Sequence, residues 1–302
     1  MRNAHFTQLD TDTNKERDIM RKTCGYLAAF VFVAVIATPA QVGQARNRPR
    51  DESVEQANIA AKQQYVLASP DTTTFTYKFS GGTGNKFISY CVTVNGNIVS
   101  FQSPAGHEYI ATAPIGEGYS ICDFGSGTQY YDYAGYGDSG NWQAATKVSS
   151  SATSVKIART TNDGLYTLTQ TIALQAGTSS AQVTMALKNN DTKAHDVGLI
   201  RYADVDANGS TSNSFDYTAR TAFGYTPELD GYGLQMIDVS NSANAFVNGV
   251  FSQDVPGGPS CQYFTHVLGP LQSTDGSLFM EADLPTLGAK ASGNFVTQYK
   301  SF

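Results

Sequence analysis

From Thr72 to its end the chain is built of short runs in which apolar and polar positions alternate. TTTFTYKF, KFISYCVTV and NIVSF are rich in β-branched and aromatic residues, the composition of a pleated, half-buried surface. Asn95-Gly96 separates the last two and predicts a two-residue hairpin turn, in which both central residues take positive φ. Further runs of this kind are SVKIART, LYTLTQTIAL, AQVTMALKN, VGLIRYADV, LQMIDV, FVNGVF, YFTHV, SLFMEA and FVTQYK, with Asp163-Gly164 turning the first of them into the second. About a dozen strands punctuated by Gly, Asn, Ser and Asp, with no helical period after residue 66, predict one all-β domain over residues 71–302, a large antiparallel two-sheet sandwich.

The residues before it read differently. Arg21 and Lys22 precede the apolar run Tyr26 to Ile36, and small residues follow at Ala37, Ala40, Gly43 and Ala45. That order of basic, apolar and small residues predicts a secretory signal, so residues 1–45 form an N-terminal extension with a cleaved signal, and Met20 competes with Met1 as the start. The apolar run is shorter than the ~20 residues a membrane span needs, which predicts no stable membrane insertion after cleavage. Residues 46–70 form a polar linker, with Ser53 and Gln56 placed as a capping box for one short helix.

Charge and cysteines narrow the setting. A net charge of −6 without a Lys/Arg run gives no electrostatic footprint for nucleic acid, and the expected location is secreted or periplasmic. Of the four cysteines, Cys24 leaves with the signal, so Cys91, Cys122 and Cys261 predict one bridge and one odd thiol in an oxidising compartment. Cys91–Cys122 is the expected pair because both fall in one predicted sheet region; such a bridge adds about 2–4 kcal/mol. All three as buried small hydrophobes is the alternative.

Three stretches carry candidate chemistry. RYADVDANGSTSNSFD places Asp204, Asp206, Asn208, Gly209 and Ser210 as D-x-D-x-N-G-S, the first half of a calcium loop, with glycine at the sharp turn. Phe215 stands where the bidentate glutamate of an EF-hand would be, so Ser212 and Asp216 are the later oxygen donors available. The same residues also suit a polar turn whose carboxylates cap nearby N–H groups. YYDYAGYGDSGNW holds Tyr130, Tyr131, Tyr133, Tyr136 and Trp142 among glycines and aspartates; read as a loop, it offers rings for stacking under sugars or folds back onto the sandwich. GDSGN within it matches the nucleophile motif of chymotrypsin-like proteases over a few residues only, and no histidine lies where a triad needs one.

The segments VNGNIVSFQSPAGHEYI, LTQTIALQAGTSSAQVTMALKNND and LFMEADLP resemble the opening, central ribbon and C-terminal strand of the galactose-mutarotase-like β-supersandwich superfamily. The resemblance implies that fold, and it implies that Glu281 stands where the family keeps its catalytic base. The family's acid, a histidine after the central ribbon, has no counterpart: Arg201-Tyr202 occupies the place and His195 comes too early. An arginine does not give up a proton near neutral pH. The expected function is therefore a secreted, non-catalytic, calcium-stabilised protein that binds carbohydrate or a cell-surface partner through the aromatic stretch and Arg201. The alternatives are a carbohydrate-active enzyme of epimerase, lyase or glycosidase type using Glu281 with Asp204 and Asp206, and a structural extracellular protein.

Overall fold

The computed structural model of the chain describes residues 75–110, 116–135, 137–175, 177–226, 232–240, 246–251, 261 and 270–302. The expected signal segment, the linker, Tyr136 and the run YFTHV lie outside them. Among the described residues there is no helix long and apolar enough to cross a membrane.

The fold is all-β and antiparallel, as its alternation predicts. A nine-stranded sheet runs in the order β16 (Leu271–Thr274), β12 (Asn213–Tyr217), β13 (Thr221–Tyr225), β14 (Gly233–Asp238), β18 (Ser292–Ser301), β10 (Ser180–Asn189), β9 (Tyr166–Gln175), β8 (Ser154–Thr160), β7 (Thr146–Ser150). Packed against it is a six-stranded sheet in the order β15 (Phe246–Phe251), β17 (Ser277–Leu287), β11 (His195–Asp204), β4 (Glu117–Asp123), β5 (Thr128–Tyr133), β6 (Gly137–Asp138). A third sheet, β1 (Tyr77–Gly81), β2 (Ile88–Val92) and β3 (Ile98–Gln102), adds Phe79, Tyr90, Ile98 and Phe101 to the same core.

Burial explains which strands the alternation reveals. In β9 Tyr166, Leu168 and Ile172 point inward while the threonines between them stay half-exposed. In β4 and in β11 from Val197 onward every residue is buried, so these strands are covered on both faces and read as near-continuous runs.

The Asn95-Gly96 turn forms where expected but with a different geometry. Only Gly96 has positive φ, at 94°. Gly96 N–H donates to Thr93 C=O, and Thr93 N–H donates to Asn97 C=O, which is a four-residue turn closed by a bulge. The tip is not in solvent. Asn95 C=O accepts from Tyr119 Oη at 2.9 Å and from Gln170 Nε2 at 3.2 Å, so it bridges the two large sheets.

Two expectations are corrected at this level. The tyrosine stretch is not a loop: Tyr130, Tyr131 and Tyr133 belong to β5, and Tyr130, Tyr133 and Trp142 are buried. Its tyrosines favour a strand, and the polar character of the intervening Asp132 is taken up by an ion pair with Arg159. The bridge is not Cys91–Cys122 but Cys122–Cys261, with Cα atoms 5.2 Å apart. Cys91 is a buried free thiol packed on Val99 and Ala134. It sits in the three-stranded sheet and Cys122 in the six-stranded one.

Candidate functional site

Residues directly opposite in an antiparallel pair share a face, and successive residues alternate between faces. The registers of β5, β4, β11 and β17 therefore sort the six-stranded sheet into two surfaces. Tyr131, Ser120, Ile200 and Glu281 stand in one cross-strand row. Tyr133, Gly118, Tyr202 and Phe279 form the next row on the same surface, with Gln129, Cys122, Gly198 and Asp283 on the other side of the first. Asp204 opposite Ser277 continues it. The intervening positions, among them Ile121, Leu199 and Met280, belong to the core shared with the nine-stranded sheet. Glu281, Tyr131, Tyr133 and Asp204, candidates drawn from three distant segments, thus lie on one face without touching in a single cluster.

Local geometry on this face is specific. A Cβ at Gly198 would lie 2.5 Å from Glu281 Oε1 and 3.1 Å from the Phe124 ring, so the carboxylate lies over the glycine and beside the ring. Glu281 is only 3 % exposed, whereas Tyr131 and Asp283 at the margins are half-buried. Tyr202 Oη and Ser277 Oγ are hydrogen-bonded at 2.6 Å. The Tyr133 ring meets Tyr202 edge-on at 5.4 Å and lies 5.7 Å from Tyr131. The Cys122–Cys261 bridge and Ile200 form a small apolar cluster with Phe124 behind them.

Arg201, expected to meet a ligand, is on the other surface and fully buried. Its Nε pairs with Glu117 Oε1 at 2.5 Å. The guanidinium also donates to Tyr299 Oη at 3.2 Å, Gln170 Oε1 at 2.5 Å and Gly96 C=O at 3.1 Å. Burial pushes the Glu117 carboxyl up to about 7, opposed by the Arg201 charge and by hydrogen bonds from Tyr299 and Ile98 N–H. A second buried pair joins Arg159 to Asp132 and, at 2.9 Å, to Asp138. Arg159 also lies over the Trp142 ring, 5.1 Å from its centroid. The Trp142 indole N–H donates to Tyr131 C=O at 3.1 Å, and Tyr130 Oη donates to Asp163 at 2.5 Å. Both rings hold the two sheets together and present no stacking surface.

Of the five expected metal donors, the structure brings Asp204 and Asp206 together. Asn208 is turned to His107, its Oδ1 2.8 Å from Nδ1. Ser210 Oγ donates to Ser212 C=O, and Asp216 accepts from Tyr217 N–H in β12. The third carboxylate beside Asp204 and Asp206 is Asp275, a residue the sequence reading missed. It lies some 70 positions away in a turn that no spacing rule connects to the loop.

No protein-family model and no curated protein matches the chain. Among solved structures it is similar to a bacterial glucoamylase complexed with acarbose, at 12 % identity and a TM-score of 0.49, over 78 % of this chain and 34 % of that one. The chain thus spans about a third of the glucoamylase. It is also similar to a galactose mutarotase-like protein from Lactobacillus casei ATCC 334, at 11 % identity and TM-score 0.45, covering 75 % of this chain and all of that one (100 %). A galactose mutarotase related enzyme from Lactobacillus acidophilus gives 8 % identity, TM-score 0.39 and coverages of 75 % and 97 %. These likenesses concern the path of the chain alone.

Proposed function

We propose that this chain is a secreted, non-catalytic β-sandwich protein that binds carbohydrate on the outer face of its six-stranded sheet. Glu281 carries the reading. Its carboxylate is 3 % exposed, lies over Gly198 and faces away from the core between the two large sheets. An acid directed out of the core, over a glycine and beside the Phe124 ring, suits ligand contact rather than core packing. On the same face Asp283 stands two residues along β17 and Tyr131 lies in the same cross-strand row, both half-buried; a carboxylate and a ring are groups that pair with sugar hydroxyls and C–H faces. The Cys122–Cys261 bridge supports an oxidising compartment.

The test is calorimetric titration with a panel of oligosaccharides. At least one should bind the wild type. Glu281→Gln and Tyr131→Ala should each weaken it by about tenfold or more, roughly 1.4 kcal/mol, when titrated below each variant's own melting transition. Absence of binding across neutral, acidic and amino sugars would remove the proposal.

A second reading, a carbohydrate-active enzyme, is favoured by one observation. Glu281 and Asp283 are two residues apart on β17, hence on one side with Cα atoms about 6.8 Å apart, a placement from which two carboxyls can flank one bond as a glycosidase pair does. Asp204 does not suit that pairing, because its partner Ser277 lies four residues along β17 from Glu281, about 14 Å. Turnover of a saccharide that disappears in Glu281→Gln would replace the binding reading with this one.

A further inference from the structure

Where β11 leaves the sheet, Asp204, Asp206 and Asp275 each offer a carboxylate oxygen, and these atoms all lie within 4.8 Å of one another. Two oxygens bound to one calcium ion at 2.3–2.6 Å stand at most about 5.2 Å apart, so the three fit a single coordination sphere. The segments that deliver them are held by main-chain bonds. Asp206 N–H donates to Tyr109 C=O at 3.2 Å, Asn208 N–H to Glu108 C=O at 2.7 Å, and Val205 N–H to Gly276 C=O at 3.3 Å.

A separate observation points to a ligand. Asn213 is fully buried. Its Nδ2 donates to Val205 C=O at 2.9 Å and to Ser210 C=O at 2.5 Å. Two carbonyl acceptors fix which end of the amide is the NH2, and the remaining Oδ1 is buried without a hydrogen-bond partner. Val205 separates Asp204 from Asp206, and Thr274, which faces Asn213 across β12 and β16, precedes Asp275. The amide therefore stands between the segments that carry the three acids. A buried acceptor left over between the segments that carry three carboxylates points to an unseen ion.

We infer that Asp204, Asp206, Asp275 and Asn213 Oδ1 form a calcium site that clasps the turn between β16 and β17 to the end of β11. All four donors are oxygens, which selects a hard cation. Asp275 is exposed, so the ion is reached from solvent and keeps water at its remaining positions. This site does not depend on what the outer sheet face binds.

The experiment titrates calcium chloride into chelator-treated full chain by calorimetry, with thermal melts in calcium, in magnesium and in EDTA. One calcium per chain and a melting temperature raised by calcium but not by equal magnesium are expected. Asp275→Asn changes an exposed side chain, so its melt in EDTA should match the wild type while calcium affinity falls by about tenfold or more. Asp216→Asn, outside the cluster, should bind as wild type. Absence of heat and of any melting shift at millimolar calcium overturns the site. So does an Asp275→Asn protein that binds like wild type, or a magnesium response equal to that of calcium.

Discussion

Replacing His195 with glutamine tests how the two sheets are tied together at one end. His195 opens β11, and its Nδ1 lies 2.9 Å from Asp123 Oδ2 while its Nε2 lies 3.0 Å from Asp191 Oδ2. Asp123 is 2 % exposed and also accepts from Tyr166 Oη at 2.7 Å and from Gly125 and Ser126 N–H. Partial burial disfavours the protonated ring, but hydrogen bonds and charge from Asp191 and Asp123 outweigh it, and the His195 pKa is raised. Asp123 runs the other way. Burial raises it, and the bonds from Tyr166, Ser126 N–H and His195 bring it below the usual range.

A charge-assisted hydrogen bond contributes about 1.5–3 kcal/mol. Because Asp123 keeps its other donors, the loss on His195→Gln belongs at the lower end, about 1.5–2 kcal/mol where the ring is protonated. The pair with the more open Asp191 adds little. A raised histidine pKa stabilises fully below the unfolded value, about 6.5, and that contribution fades as pH rises through the folded value. A depressed aspartate stabilises above its unfolded value, about 3.9, and fails as pH falls through the folded one. Both are in place between these limits. Above them the neutral imidazole has a single N–H and serves one carboxylate at a time. Urea unfolding of wild type and His195→Gln at about pH 5.5 and about pH 8.5 should therefore give a larger difference at the lower pH. An equal difference, or a larger one at alkaline pH, would refute the charge assignment.

Two other outcomes follow from buried groups. Peptide mapping without reduction should join the Cys122 and Cys261 peptides and leave Cys91 alkylated only after unfolding; Cys261→Ser, which opens a loop with a sequence separation of 139, should cost about 3–5 kcal/mol. Arg201→Met takes away the charge that holds the buried Glu117 carboxyl down, so burial pushes it further up and it takes a proton; breaking the pair costs about 3–5 kcal/mol. Adding Glu117→Gln should recover part of that, and unfolding midpoints of the two single variants and the double variant measure the recovery.

Strand positions were legible wherever one face is wet, because β8, β9, β10 and β18 keep a clean period of two. Facing was not legible in β4 and β11. Both are covered on each side, so VGLIRYAD carries no alternation to say that Arg201 points inward and Tyr202 outward. The tyrosine stretch misled for a related reason. Gly and Asp around YYDY look like loop composition, yet Asp132 is a buried partner of Arg159, and sequence does not display a charge neutralised from another strand. The acidic loop was half legible. Asp204 and Asp206 are neighbours in sequence, whereas Asp275 and Asn213 reach them through the pairing of β12 with β16 and of β11 with β17.

These features place two kinds of chemistry on one strand. Along β11, Leu199, Arg201 and Ala203 face the interior, where Arg201 and Glu117 meet the Asn95-Gly96 turn and Gln170 of the opposite sheet. Gly198, Ile200, Tyr202 and Asp204 face outward beside Glu281 and Ser277. The inward charges need every partner they have, since an enclosed ion without its counterion is among the costliest defects a fold carries, and they fix the register of β11 against β4 and β17. A one-residue slip would turn Arg201 outward and Tyr202 inward. The buried Arg201–Glu117 pair thus holds the outer face in alignment without touching anything bound there, and Glu281 keeps its place over Gly198 only while that register stands.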